Sequence, residues 1–304
     1  MKHALEKPQS MMHFRKILFP IAFSEPAAAI ASSVREIARR FNAHVTVLNA
    51  WNPAPEYISG PAPDAPCDSK ERAILFSPTL QEMQNQQERR LEEFARAHFS
   101  GIDHTERIEI GDPAAVIEWV AKCDESDLIM MPTRGPGWFC SLLRSSVTSR
   151  VLHNITCPVW TSAHKSEPVS ALTPGYRSIL CAVGMNPEDD AVLDVACLFV
   201  QMYGARICLL HAQSPSDEQD TEYSSQSFKQ AFMRGCVARR KHIAPDICVR
   251  ILRVEISKGI RQTALEQGAD LTIVSRGREN GSFSHAWSQL YTIIRESRCP
   301  VLSV

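Results

Sequence analysis

The chain states one order of signals twice. Arg15-Lys16-Ile17-Leu18-Phe19-Pro20-Ile21 opens the first half and Arg177-Ser178-Ile179-Leu180-Cys181-Ala182-Val183 opens the second. Asp127-Leu128-Ile129-Met130 returns as Asp270-Leu271-Thr272-Ile273, and Cys157-Pro158-Val159 returns as Cys299-Pro300-Val301. A repeat of this length reads as two tandem copies of one domain, not as a solenoid of short units. Ile17 and Ile179 stand 162 positions apart but Cys157 and Cys299 only 142, so the first copy carries about twenty extra residues. They fall in the Pro-rich stretch 52–80 (Pro53, Pro55, Pro61, Pro63, Pro66, Pro78), which reads as a loop. The expected division is a loose tail at 1–13, a first copy at 14–163, a linker with Ser, Pro and Gly at 164–176, and a second copy at 177–304.

Within each copy, short apolar runs alternate with helical patterns. Lys16–Ala22 reads as a strand, and Ser24 followed by Pro26 as a helix start. Ile30, Val34, Ile37, Ala38 and Phe41 then make one buried stripe. Ala43–Ala50 is the next strand, Gln81–Phe99 a surface helix and Arg107–Ile110 a short strand. Asp112 caps a helix with Pro113 at its first position, Asp127–Met131 is a strand, Ser145–Asn154 a helix and Val159–Ser162 the last strand. The second copy repeats the plan, with a helix ended by Gly204, a further helix at 221–242, strands at 248–255 and 271–275, helices at 260–267 and 286–296, and a closing strand at 301–304. Strand–helix alternation implies right-handed crossovers and a mainly parallel sheet covered on both faces, so that ligands bind beyond the carboxyl ends of the strands.

Composition narrows the function. The 304 residues carry a net charge of -1, so no basic excess exists to neutralise a phosphate backbone, and nucleic acid is not an expected partner. No apolar run approaches the ~20 residues that cross a bilayer, so no membrane partner is expected. The run after Arg15-Lys16 is broken by Pro20 and lacks a cleavage site, which argues against a secretion signal. Ten cysteines occur without C-x2-C pairs and mostly within apolar segments, which points to reduced thiols, a cytoplasmic setting and no zinc.

These elements, in this order, resemble the universal stress protein family over nearly the whole chain. The family's opening strand matches Ile17-Leu18-Phe19-Pro20-Ile21-Ala22-Phe23-Ser24. Its G-x-P matches Gly111-Asp112-Pro113, and its D-L-I-V-M-G-T-R-G matches Asp127 to Gly135. Ser145-Ser146-Val147 and Cys157-Pro158-Val159 complete it. The resemblance implies two tandem Rossmann-like domains of the adenine nucleotide alpha hydrolase-like kind, each a five-stranded, mainly parallel sheet with helices on both faces. Relatives that bind ATP share a loop G-x2-G-x(6–9)-G-S/T, whose amides and helix N-terminus solvate phosphate. They also carry an Asp at the end of the first strand.

Both copies depart from that pattern. The Asp position holds Ala22 in the first and Gly184 in the second. Gly135 is kept, the second glycine is Trp138 unless Gly137 replaces it by a one-residue shift, and the third is Ser145, followed by Ser146. In the second copy the Gly-Ser pair reads Trp287-Ser288, with Gly277 and Gly281 left as candidate pocket glycines. The tryptophans either fill the emptied pocket, the favoured reading, or stack on a ring. Arg134 and Arg276 follow strands at the ligand-facing edge and read as loop charges or phosphate contacts. The candidate ligand set is therefore Arg134, Gly135, Gly137, Ser145, Ser146, Arg276, Gly277, Gly281 and Ser288, with no catalytic constellation and no metal site.

The expected function is stress adaptation through binding, not catalysis, with ATP as a weak ligand at most. The alternatives are a nucleotide-dependent switch using the first copy's Gly135–Ser146 loop, and a module for another small ligand or a protein partner through 52–80. The two final strands are expected to pair within the chain; a homodimer is left open.

Overall fold

One carboxylate does the same work in both halves. Asp127 accepts the backbone N–H of Arg15 at 2.7 Å and of Lys16 at 3.1 Å. Asp270 accepts those of Arg177 at 2.6 Å and Ser178 at 3.2 Å. Each pins the start of its copy's first strand beside the strand the aspartate itself introduces. Burial pushes both carboxyls above their ordinary range, against the pull of these N–H donors.

The computed structural model describes residues 13–53, 78–133, 147–163, 175–184, 189–213, 247–276 and 283–304. The first copy runs β1 (Lys16–Ile21), α1 (Glu25–Phe41), β2 (His44–Trp51), α2 (Pro78–Phe99), β3 (His104–Ile110), α3 (Pro113–Cys123), β4 (Leu128–Thr133), α4 (Val147–Asn154) and β5 (Val159–Ala163). The second runs β6 (Ser178–Ala182), α5 (Asp189–Tyr203), β7 (Arg206–Gln213), β8 (Cys248–Arg253), α6 (Ile256–Glu266), β9 (Leu271–Val274), α7 (Phe283–Glu296) and β10 (Val301–Ser303). The helix expected at 221–242, the loop 54–77 and most of the linker lie outside the described residues.

Local chemistry explains the boundaries. Asp112 caps α3, its side chain accepting the N–H of Ala115 at 3.0 Å, with Pro113 behind it. Ser24 stands at the N-cap of α1 as expected, but its side chain makes no cap hydrogen bond, and Pro26 supplies the helix-compatible start instead. Gly204 ends α5 at φ 68°, its N–H returning to Val200 O at 2.7 Å. Several elements begin earlier than their periodicity suggests, among them β3 at His104 and α6 at Ile256. The residues that extend these two are polar, half-buried or, at Gly259, without a side chain, so they add little apolar signal.

Each copy forms a parallel five-stranded sheet, and the two are one sheet. The strand order is β3-β2-β1-β4-β5-β10-β9-β6-β7-β8, parallel throughout except where β5 meets β10 antiparallel. Val301, Leu302 and Ser303 lie opposite Thr161, Trp160 and Val159. Side chains reinforce that seam: Thr161 Oγ1 donates to Val301 O at 3.1 Å and Ser303 Oγ to Val159 O at 3.2 Å. The expected pairing of final strands is thus present, and it hides an edge on each copy that would otherwise expose backbone donors and acceptors.

The two cores run across the seam. On one face α1, α2 and α5 bury Ile30, Val34, Ile37, Phe99 and Phe199 with Phe19 and Val47. Phe14 and Phe41 of the first copy meet Phe199 of the second edge-on at 6.2 and 5.7 Å. Trp160, 1% exposed, donates its indole N–H to the Tyr176 hydroxyl at 3.1 Å, which satisfies a polar group in the middle of this core. On the other face α3, α4, α6 and α7 cover Ile129, Val159, Leu210 and Val301. There Tyr291 of α7 donates to Ser149 of α4, to the carbonyl at 3.0 Å or the hydroxyl at 2.6 Å.

Candidate functional site

In each copy the chain leaves the sheet in opposite directions on the two sides of the first strand, so β1/β4 and β6/β9 are the switch points where α/β sheets take ligands. Because β5 and β10 run antiparallel, the two carboxyl edges face opposite ends of the common sheet.

The same device closes the first strand of each copy. Asn49 at the end of β2 donates its Nδ2 to Ile21 O at 3.1 Å. His211 on β7 hydrogen-bonds Val183 O at 2.9 Å through Nδ1. Asn49 is the register partner of Ile21, and His211 stands in the corresponding place one residue beyond the Ala182–Leu210 pair. Both side chains are buried and each satisfies the carbonyl at which the strand departs. Sequence reasoning missed both. The signal was present as a polar residue at matching positions in two otherwise apolar strands, but Asn in one copy and His in the other disguised it.

The positions after those carbonyls carry no acid. Ala22 and Gly184 are both exposed. Phe23 adopts a left-handed φ of 45°, unusual for an aromatic residue, and the Arg90 guanidinium of α2 lies over its ring at 4.5 Å. The first copy's turn is therefore held by a cation–ring contact.

Three buried polar atoms of the first copy's carboxyl edge have no partner among the described residues: Asn49 Oδ1, Trp51 Nε1 and Thr133 Oγ1. Asn49 and Trp51 stand two apart on β2 and so share a face, whereas Thr133 ends β4. They offer an acceptor, a donor and a hydroxyl at the margin of the loops that follow β2 and β4.

Arg276 follows the carboxyl end of β9 by two residues, as expected, but its side chain turns toward the other copy. It is 2% exposed and reaches across the seam to the C-terminus of α4 in the first copy. Its Nη1 donates to Ile155 O at 2.7 Å and Leu152 O at 3.4 Å, and its Nη2 to Cys157 O at 2.5 Å and Thr156 O at 3.3 Å. A helix end leaves carbonyls without intrahelical partners and carries partial negative charge, so a planar cation with several donors suits it. This guanidinium is a clamp between the copies.

The remaining candidates, Arg134, Gly135, Gly137, Ser145, Ser146, Gly277 and Gly281, lie outside the described residues, as does Trp138. Ser288 and Trp287 fall within α7, but their side chains are likewise outside the description. The final cysteines behave as packing residues: Cys299 is buried with its Sγ 3.3 Å from Thr272 Oγ1, and Cys157 is half-buried. No group of three or more His, Cys, Asp or Glu that could hold a metal exists among the described residues. Among them, too, no helix is long and apolar enough to cross a membrane.

Comparison with known proteins agrees with this architecture. The model of the universal stress protein family matches residues 13–162 and again residues 175–304. A universal stress protein of Thermus aquaticus is 28% identical over 148 residues, covering 48% of this chain and 96% of that protein. One of Methanocaldococcus jannaschii is 29% identical over 146 residues, covering 48% of this chain and 80% of that protein. The crystal structure of a universal stress protein from Archaeoglobus fulgidus shares the fold end to end, with a TM-score of 0.66 at 19% identity over 96% of this chain and 97% of that one. With one family model matched in succession by both halves, the chain belongs to the universal stress protein family and carries two copies of its domain in tandem.

Proposed function

We propose that this protein acts in stress adaptation by binding, without catalysis, and that it holds ATP weakly, with any residual affinity in the first copy. Family membership supports the role in stress adaptation. The observation that carries the weak-ATP reading is the chemistry at the ends of β1 and β6, where exposed Ala22 and Gly184 stand in place of a carboxylate. The second copy is further from an ATP site because its Arg276 is engaged with the carbonyls of α4. Losing a charge-assisted hydrogen bond costs on the order of 1.5–3 kcal/mol, so the one loss in each copy weakens that copy's own site by roughly ten- to a hundredfold. Calorimetric titration of the full chain with Mg-ATP tests this: the reading expects a dissociation constant well above the low-micromolar range, and a low-micromolar value overturns it.

A second reading, a nucleotide-dependent switch in the first copy, draws support from the unpartnered Asn49 Oδ1 and Trp51 Nε1 at that copy's carboxyl edge. Mass spectrometry of gently purified protein distinguishes the two. Co-purified nucleotide favours the switch, and nucleotide-free protein favours binding of another kind.

A further inference from the structure

Cys208 on β7 and Cys248 on β8 are direct register partners in neighbouring parallel strands. Such strands lie about 4.8 Å apart, and partners at one level leave the sheet on the same side. The two thiols are close enough to influence each other's titration. Their environments differ sharply: Cys208 is 3% exposed, while Cys248 is exposed. A cavity of about 420 Å³ opens beside both, lined also by Arg206 and Glu266. Arg250, two residues after Cys248 and on the same face of β8, is paired with Glu266 and lies within electrostatic reach of both sulfurs.

This is the arrangement of an attacking thiol and a resolving thiol: one sulfur reachable from solvent with a guanidinium near it, and a second sulfur held behind it. We propose that Cys208 and Cys248 form a reversible redox pair that a hydroperoxide converts to a cross-strand disulfide. The Cys248 thiolate attacks the peroxide oxygen; the O–O bond breaks, and the leaving alkoxide or hydroxide takes up the proton Cys248 gave. Cys248 is then a sulfenic acid. The Cys208 sulfur attacks that sulfur, the S–O bond breaks, and the departing hydroxyl leaves as water with the Cys208 proton. Two thiols and one hydroperoxide give one disulfide, one alcohol (or water) and one water. Burial pushes the Cys208 thiol up to about 12, so it keeps its proton until the second step. Disulfide Cβ atoms sit nearer, about 3.8 Å, than register partners do, so β8 must lean inward. It can do so because it ends the sheet and is held by a neighbouring strand on one side alone among the described residues. The resulting bond is strained and returns to thiols with a dithiol reductant.

The test uses the full-length reduced protein and one to two equivalents of hydrogen peroxide, followed by alkylation and peptide mapping by mass spectrometry. The proposal expects a peptide pair linked through Cys208 and Cys248, a loss of two free thiols per chain, and recovery of both with dithiothreitol. In Cys208→Ser, Cys248 should accumulate as a sulfenic acid trapped by dimedone. In Cys248→Ser, Cys208 should remain unmodified. Oxidation of Cys248 in the unaltered chain without the linked pair overturns the proposal, as does linkage of Cys248 to any other cysteine, or persistence of the sulfenic acid while Cys208 stays alkylatable.

Discussion

Replacing Arg276 by methionine keeps an unbranched apolar stem and removes every donor that reaches α4. In the native chain that guanidinium serves the carbonyls of Leu152, Ile155, Thr156 and Cys157, two of them at 2.7 and 2.5 Å. Hydrogen bonds to a charged group contribute about 1.5–3 kcal/mol each, and the two short ones dominate. Against that stands the desolvation of a cation that is 2% exposed, which methionine does not require. The carbonyls of Leu152 and Ile155 stay buried at a helix end whose dipole the cation had offset. Weighing these, the substitution should cost about 3–4 kcal/mol. Unfolding entropy of roughly 2.1 cal/mol/K per residue over a chain of this length makes that a fall in Tm of about 5–6 °C. Differential scanning calorimetry of both proteins measures it, and Arg276→Lys should restore a part, since one ammonium cannot span four carbonyls. A shift of less than about 1 °C in Arg276→Met would refute the claim that this residue clamps the copies together.

Other expectations follow from the same geometry. Ala22→Asp, which returns a carboxylate to the end of β1, should tighten Mg-ATP binding measurably by calorimetry, whereas Gly184→Asp in the second copy should not. Equal gains from both would show that the copies are alike. Asp112→Ala should cost about 1 kcal/mol through loss of the α3 cap, read from urea denaturation. Its pH dependence has a definite sign. The Arg150 guanidinium and the Ala115 N–H hold the Asp112 carboxyl below its ordinary value. The stabilisation it brings is therefore present above the unfolded value and disappears as pH falls through the folded one. The gap between Asp112→Ala and the native protein should close in acid, and a gap that widened there would contradict the assignment.

The duplicated order of signals was enough to expect two copies and five strands in each, because those features follow from apolar runs in a fixed sequence; that the final strands meet was implied by the family resemblance and by the sheet edges they would otherwise expose. The work of Asp127 and Asp270 was also open to inspection, since an acid recurs at the head of the same strand, yet only the contacts to Arg15 and Arg177 show that it pins the neighbouring strand. Arg276 was not legible. It follows Asp270 by six residues where Arg134 follows Asp127 by seven, and β9 is two residues shorter than β4, so the spacing of the two arginines is not the same in the two copies. Its partners belong to the other copy and exist only once β5 and β10 have joined. Cys208 and Cys248 likewise look like unrelated core cysteines forty positions apart until the register of β7 and β8 sets them side by side. The glycine-spaced loops, which hold most of the ligand candidates read from the sequence, lie outside the described residues.

The two copies share one sheet through Val159–Ala163 and Val301–Ser303. Deleting Val301–Val304 removes the β10 side of that seam, including the bonds from Thr161 and Ser303. Calorimetric melts of the truncated and full-length chains, with hydrogen exchange of the first copy's β4 and β5 amides followed through the transition, test it directly. A shared sheet predicts that both halves lose stability together and that β5 amides lose protection although the deletion lies in the second copy. A first copy that melts and exchanges as it does in the intact chain would contradict it.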